Sequence, residues 1–229
     1  MKNLLLILTL FAFACNSNGQ KSGALPPTDF ATAISKPNIQ ILDVRTAAEY
    51  QSGHIKGALQ ANWLDATELQ SRTSHLDKNK PVYVYCLSGG RSGAAAQFLS
   101  EQGYQVTNMT GGMNAWKREN MPVEGLDPNA KPTSLETYKS MLASGEVVLV
   151  DFGAVWCPPC VKMEPVLQSF VNDNKGKLTL IKMDGGLETE LMKSLNVEAL
   201  PTFILYKKGV EVKRKQGLVT KEEFTSWLK

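Results

Sequence analysis

The chain is poor in the side chains that most often hold metal. It has two histidines and four cysteines in 229 residues. A structural zinc site needs about four ligands. Cys157 and Cys160 form one C-x-x-C pair, no second pair completes a site, and His54 and His75 are not suitably spaced, so no metal is expected. An excess of one charge is also missing. Lys and Arg number 25 against 22 Asp and Glu, a net charge of +3. That is too small for a nucleic-acid surface, and aromatics are not interleaved with basic clusters. No internal repeat joins the two halves. What is present is apolar mass: 43% of residues are hydrophobic, and the length suits two domains, each with its own core.

The N-terminus reads as a targeting segment. Lys2 is a minimal positive region, and Leu4 to Ala14 is an apolar run of eleven residues. Such a run is too short to span a bilayer but has the length of a secretory segment. It ends in Ala12-Phe13-Ala14, then Cys15 and the polar stretch Asn16 to Lys21. This arrangement resembles a bacterial lipoprotein signal, which implies lipidation of Cys15. The pattern prefers Leu three residues before the cysteine, where this chain has Ala12. Ordinary cleavage after Ala14, or an uncleaved anchor, are the alternatives. All three place the folded part outside the cytoplasm, in a bacterial periplasm or cell envelope.

With Cys15 lipidated, three cysteines remain: Cys86, Cys157 and Cys160. An odd count in an exported chain leaves one thiol without an intramolecular partner. Cys157 and Cys160 are close enough to pair, so Cys86 stands alone in an oxidising compartment, a liability unless it does chemistry.

Met121 to Thr133 reads MPVEGLDPNAKPT, and its prolines and Gly125 break both helix and strand periodicity, marking a domain seam. Thr133 and Glu136 then form a capping-box pattern ahead of an amphipathic helix. In the first half, strands are expected at 39–44, 82–85 and near 105–107, with helices at 92–102 and 113–118. In the second, strands are expected at 147–152 and 178–183. A helix follows from about Cys160 with a kink at Pro165, then one at 188–195. A hairpin (202–206 and 210–213) precedes a last helix, 221–229. Alternating strands and helices predict α/β domains with a mainly parallel sheet in the first.

Cys86 follows the apolar run Val82 to Tyr85 and opens the loop Leu87-Ser88-Gly89-Gly90-Arg91. Adjacent glycines let successive N–H groups turn inward as an anion nest, and the helix behind adds its positive end. Arg91 adds a charge. These features favour a thiolate, the nucleophilic form of the group, and would hold a persulfide anion equally well. The plainer possibility is a small buried hydrophobe at a strand end.

Three stretches in order, "ILDVRTAAEYQSGHIKGALQANW", "VYVYCLSGGRS" and "GGMNAW", resemble the rhodanese (sulfurtransferase) domain over about Leu25 to Pro122. The resemblance implies that Cys86 is the persulfide-forming nucleophile, with Arg91 beside it. It implies that Leu87, Ser88, Gly89 and Gly90 form the substrate cradle. Asp43 and Arg45 look like the family's structural pair, and His54 looks architectural. His75 reads as a plain surface residue. The family often has a basic residue after the cysteine, where this chain has Leu87.

Cys157 and Cys160 flank Pro158-Pro159 at a helix start, a spacing that lets a disulfide form and break with little backbone movement. "VVLVDFGAVWCPPC", Pro165, "MDGG" and "ALPTFILYKKGVEV" resemble the thioredoxin family over about Thr133 to Lys229. The resemblance implies a redox-active Cys157–Cys160 disulfide, with Cys157 attacking and Cys160 resolving. It implies Asp151 as the buried acid that assists proton transfer, with Trp156 and a cis Pro201 at the substrate face. Pro158-Pro159 departs from the Gly-Pro of cytosolic thioredoxins. Family members span about −270 to −120 mV, so reductant and oxidant both stay open.

The expected organisation is a signal peptide (1–14), a lipid site and tether (15–24), a rhodanese-like domain (25–122), a linker (123–132) and a thioredoxin-like domain (133–229). The expected activity is an exported, thiol-dependent sulfurtransferase/oxidoreductase. Cys86 would carry a persulfide that the dithiol reduces, or the dithiol would exchange with partner disulfides. The alternative is an envelope protein-disulfide reductase or oxidant whose rhodanese-like domain senses or docks. Expected partners are a sulfane-sulfur donor, thiol or disulfide proteins, an external electron donor and, through the lipid, a membrane. No cofactor and no nucleic acid are expected.

Overall fold

The computed structural model describes residues 23–125 and 130–229. The expected signal peptide, Cys15 and most of the tether lie outside the described residues, as do 126–129 of the linker.

The N-terminal domain is a five-stranded sheet in the order β1-β5-β4-β2-β3, with every pairing parallel. The strands are β1 (Gly23–Leu25), β2 (Gln40–Asp43), β3 (Leu59–Gln60), β4 (Val82–Tyr85) and β5 (Val106–Met109). Strand alternation sends successive side chains to opposite faces. Val82 and Val84 join Leu42, Ala95, Leu99 and Cys86 in the core on one face. Tyr85 joins Phe30, Ile41, Met109 and Trp116 on the other. Helices α3 (Ala66–Thr73) and α4 (Gly90–Glu101) serve the first core through Leu69 and Leu99. Helices α1 (Pro27–Ile34), α2 (Ala47–Gln51) and α5 (Gly112–Arg118) serve the second through Phe30, Tyr50 and Trp116.

The C-terminal domain has α6 (Leu135–Met141), β6 (Val147–Gly153), α7 (Pro158–Asp173), β7 (Thr179–Asp184), α8 (Thr189–Ser194), β8 (Thr202–Lys207), β9 (Val210–Gln216) and α9 (Lys221–Trp227). Its sheet runs β7-β6-β8-β9, parallel between β6 and β7 and antiparallel elsewhere. Val148, Val150 and Phe152 of β6 pack on one face with Tyr138 and Ile181. Leu149 packs on the other with Leu167, Phe170, Phe203 and Phe224. Each large apolar side chain so buried contributes roughly 1.5–3 kcal/mol. Lys208 and Gly209 both take positive φ (51° and 76°), the geometry a two-residue hairpin turn demands.

Several boundaries differ from the sequence expectations. Helix α4 starts at Gly90, two residues early, because Gly89 turns the chain at φ 99°. Helix α7 starts at Pro158 rather than near Cys160. Prolines suit a first turn, whose N–H groups have no helical partner. The helix runs through Pro165 without ending. The cap of α6 is Ser134, not Thr133, whose N–H and hydroxyl both go to Glu188 at 2.8 Å. A reciprocal capping box instead opens α2, between Thr46 and Glu49. The expected linker begins inside a structured contact, since Glu124 and His54 exchange backbone hydrogen bonds at 2.6 and 2.8 Å.

Candidate active site

Cys86 lies just past the C-terminal end of β4 and is buried. Its Sγ accepts from the Gly89 N–H at 3.1 Å and from the Ser92 hydroxyl at 3.3 Å. Burial pushes the thiol up. Hydrogen bonds from the Ser92 hydroxyl and the Ser92, Ser88 and Gly89 amides more than offset it, so its pKa falls below the ordinary thiol value. Gly89 and Ser88 of the expected cradle therefore serve the sulfur directly. Leu87 is exposed and contributes its carbonyl to the Asn114 N–H at 2.9 Å. Gly90 is the first residue of α4, with nothing near its absent side chain.

Arg91, expected beside Cys86, interacts with the charge of that sulfur and is also bonded to a carboxylate. Its guanidinium makes two hydrogen bonds to Glu49, at 2.8 and 2.6 Å. That pairing pulls the Glu49 carboxyl down to about 2. The cation is thus matched by an anion, and the hydrogen bonds to Cys86 come from amide and hydroxyl dipoles. Ser92 was absent from the expected site, although it closes the quoted stretch "CLSGGRS". Gly112 was likewise unassigned. It sits at φ 55°, and a Cβ there would fall 2.4 Å from the Cys86 carbonyl oxygen.

Asp43 and Arg45 form a buried pair, with the Arg45 Nε 2.9 Å from both carboxylate oxygens and Nη2 bonded to the Gly53 carbonyl at 2.8 Å. This is turn architecture. His54 stacks on Tyr50 with ring centroids 3.7 Å apart. His75 is half-buried rather than on the open surface, and its pKa is lowered by burial and then by Lys162 of the C-terminal domain.

In the C-terminal domain Cys157 and Cys160 form a disulfide. Cys157 is the N-cap of α7, and its Sγ accepts from the Cys160 N–H at 3.4 Å. The end of a sixteen-residue helix therefore faces this sulfur, and its partial positive charge favours the thiolate. Asp151 lies on β6 and is buried. Burial pushes its carboxyl up to about 6, with Lys182 opposing and Glu164 adding. The Leu200–Pro201 peptide is cis. Asp151 and Cys160 line a cavity of about 430 Å³ together with Val155, Val161, Glu164 and Lys182.

The two domains meet at the disulfide. Trp156 and Cys157 pack into the same core as Tyr50, Ile55, Ala58 and Tyr85. The Gln60 N–H donates to the Trp156 carbonyl at 2.7 Å, and Gln51 donates to the Gly186 carbonyl. The Arg72 guanidinium lies 5.0 Å from the Trp156 ring centroid and bonds Gln60. Tyr50, Gln51 and Gln60 lie within the quoted stretch 41–63 and Arg72 outside it, and nothing in their spacing marked them as part of a redox site.

Cys86 and Cys157 sit in separate core clusters, Cys86 with Leu42, Val84 and Leu99 and Cys157 with Tyr50, Tyr85 and Trp156.

Fold and site define a two-domain α/β protein with, among the described residues, one solitary buried thiol and one disulfide at a helix start. Comparison with known proteins assigns both halves. Residues 26–119 match the model of the rhodanese-like domain and residues 129–229 that of thioredoxin. A thioredoxin of Mycobacterium bovis is 38% identical over 87 residues, which are 38% of this chain and 75% of that protein. A sulfurtransferase of Allochromatium vinosum is 39% identical over 87 residues, 38% of this chain and 78% of that protein. A bifunctional thioredoxin reductase/thioredoxin of Mycobacterium leprae is 28% identical over 150 residues, 59% of this chain and 33% of that protein. The chain thus spans a third of that relative, and 52% of thioredoxin X of Arabidopsis thaliana. The chain belongs to the thioredoxin family through its C-terminal half, which follows a rhodanese-like domain.

Proposed function

We propose that this protein is an exported, thiol-dependent sulfurtransferase/oxidoreductase, held at the cell envelope by a lipid on Cys15. Cys86 takes a sulfane sulfur from a donor and holds it as a persulfide. The reduced dithiol then draws it off. The Cys157 thiolate attacks the outer sulfur, expelling the Cys86 thiolate. Cys160 attacks Cys157 Sγ, the Cys157–Cys160 disulfide forms, and hydrosulfide leaves with the two electrons the dithiol gave up. An external electron donor restores the dithiol. The observation that carries this reading is the seat of Cys86, where the Gly89 amide and Ser92 hydroxyl converge on a sulfur with a lowered pKa. Because the two sulfurs sit in separate core clusters and Cys157 is fully buried, the transfer runs in a form where the domains have parted. A tether keeps them at millimolar-range effective concentration.

The test is to load the protein with a sulfane donor, weigh it for one added sulfur on Cys86, and follow sulfide release without added thiol. Sulfide release from Cys157→Ser as fast as from the unaltered protein would overturn the coupling.

The second reading is an envelope protein-disulfide reductase or oxidant whose rhodanese-like domain senses or docks. The contact of Gln60 and Tyr50 with Trp156 supports the sensing or docking part of it, since it sets the rhodanese-like domain against the residue before Cys157. Disulfide reduction on a protein substrate, indifferent to Cys86→Ser, would support it over the first.

A further inference from the structure

The N-terminal domain helps bury Cys157 completely, whereas Cys160, packed against the same core, stays partly exposed. Cys157 is 0% exposed, and Trp156, Pro158 and Pro159 beside it are buried. Cys160 is only partly buried and lines the 430 Å³ cavity; Cys157 does not. The mouth is marked by Val155 and Val161, which are 85% and 49% exposed. We propose that in this closed form a small thiol enters the cavity and attacks Cys160, so that the disulfide is opened from the sulfur opposite to the one a protein partner would use in an uncovered thioredoxin domain. This rests on the reading of Cys157–Cys160 as a redox couple.

The chemistry favours that direction as well as the access. Attack on a disulfide needs a free path to one sulfur, and it is faster when the sulfur expelled is the more acidic. Cys157 caps α7 and accepts the Cys160 N–H, so it is the better leaving thiolate. A thiolate R–S⁻ forms a bond to Cys160 Sγ, the Cys157–Cys160 bond breaks, and its electron pair leaves on Cys157. A second R–S⁻ then attacks the R sulfur of the mixed disulfide, releasing R–S–S–R and the Cys160 thiolate. Two thiols are oxidised, the pair gains two electrons, and the two thiol protons end on Cys157 and Cys160. The Asp151 carboxyl lines the same cavity and is placed to pass a proton to Cys160.

The walls also select the thiol. Val155, Val161, Ala154 and Met183 make them largely apolar, and Asp151, Glu164 and Asp184 outnumber Lys182. A small neutral or cationic thiol fits this lining better than an anionic one. A folded protein does not fit a cavity of this size.

The experiment uses the full oxidised chain, pulsed with cysteamine, quenched in acid and mapped by fragment-ion mass spectrometry. The cysteamine adduct is expected on Cys160 in about tenfold excess or more over Cys157, the least that a difference of ~1.4 kcal/mol in access would give. Mercaptoethanesulfonate is expected to react more slowly than cysteamine. In a Cys86→Ser background, the lone Cys160 of Cys157→Ser is expected to react with a small disulfide faster than the lone Cys157 of Cys160→Ser. Arg72→Ala, which loosens the cover, is expected to move the adduct toward Cys157. An adduct chiefly on Cys157 in the unaltered protein overturns the proposal and leaves the redox couple standing. A disulfide that no thiol opens overturns both.

Discussion

The Gln60 N–H and the Trp156 carbonyl oxygen lie 2.7 Å apart and join the edge of one domain to the residue before the other domain's first active-site cysteine. Around that bond, Tyr50 lies 5.8 Å from the Trp156 ring and Arg72 lies 5.0 Å from it. The Trp156 indole is flanked by two side chains of the neighbouring domain, and its backbone carbonyl is bonded by an amide of the same domain. The redox face is therefore an interdomain core, and its accessibility is a matter of domain opening.

Arg72→Ala tests how firmly that core is held. The variant loses the stacking on Trp156 and the bonds to Gln60 and Glu68. A partly buried cation–π contact and a charged hydrogen bond together contribute about 1.5–3 kcal/mol. The Gln60 amide proton, whose acceptor is across the interface, is expected to exchange at least about tenfold faster in the variant. Unchanged exchange at Gln60 would show that Arg72 does not hold the domains together.

Ser92→Ala tests the acidity of Cys86. Removing a hydrogen bond to a charged acceptor costs about 1.5 kcal/mol, roughly one pKa unit. The thiol pKa is expected to rise, and alkylation of Cys86 near neutral pH to slow about tenfold. A pH series of alkylation rates, with Cys157 and Cys160 kept as the disulfide, reads this directly. An unmoved profile would assign the thiolate's support to the amides alone.

Two glycines near Cys86 are expected to differ sharply. Gly112→Ala places a Cβ 2.4 Å from the Cys86 carbonyl oxygen and 2.7 Å from the Leu87 carbonyl carbon, at a φ of 55°. Those are backbone atoms that cannot swing aside, so the variant is expected to lose about 3 kcal/mol and to disturb Cys86 reactivity. Gly90→Ala meets nothing within 4 Å and gains about 0.5–1 kcal/mol of helix propensity. Urea midpoints and Cys86 alkylation on both variants check the contrast.

Asp151 predicts a loss of stability as pH rises. Its carboxyl ionises at 3.8 in the reference state and at about 6 in the folded protein, chiefly because burial disfavours the charge. Between these values the unfolded chain ionises and the folded one does not, so stability falls as pH rises from about 4 to 6. The loss is up to about 3 kcal/mol and stays constant above pH 6. Asp151→Asn is expected to recover much of it at pH 8 and none below pH 4, while slowing thiol–disulfide exchange. Urea unfolding at pH 4 and pH 8 measures the difference.

The central strands were legible because their cores leave a local trace. Val82–Tyr85 and Val147–Phe152 are short continuous apolar runs, as buried strands with both faces covered must be. The glycine-proline seam and the hairpin at Lys208-Gly209 were legible because turns demand particular residues. Helices α2 and α3 were not, since each buries only one or two side chains and shows little periodicity. The cap at Thr133 was misplaced by one residue because Glu188, 55 residues away, claims both its donors. The ion pair of Arg91 was not legible for the same kind of reason. Its partner Glu49 lies 42 residues upstream, and no spacing rule links them.

By itself the sequence determined two α/β domains, a solitary thiol on a glycine loop and a cysteine pair at a helix start. Those follow from local chemistry: apolar runs, turn residues and the short C-x-x-C spacing. Only the tertiary structure decided that Arg91 is paired with Glu49, that Cys86 and Cys157 sit in separate core clusters, and that Cys157 is fully buried while Cys160 is partly exposed. Burial and charge pairing depend on what distant segments bring alongside a residue, and that is a property of packing rather than of neighbouring letters.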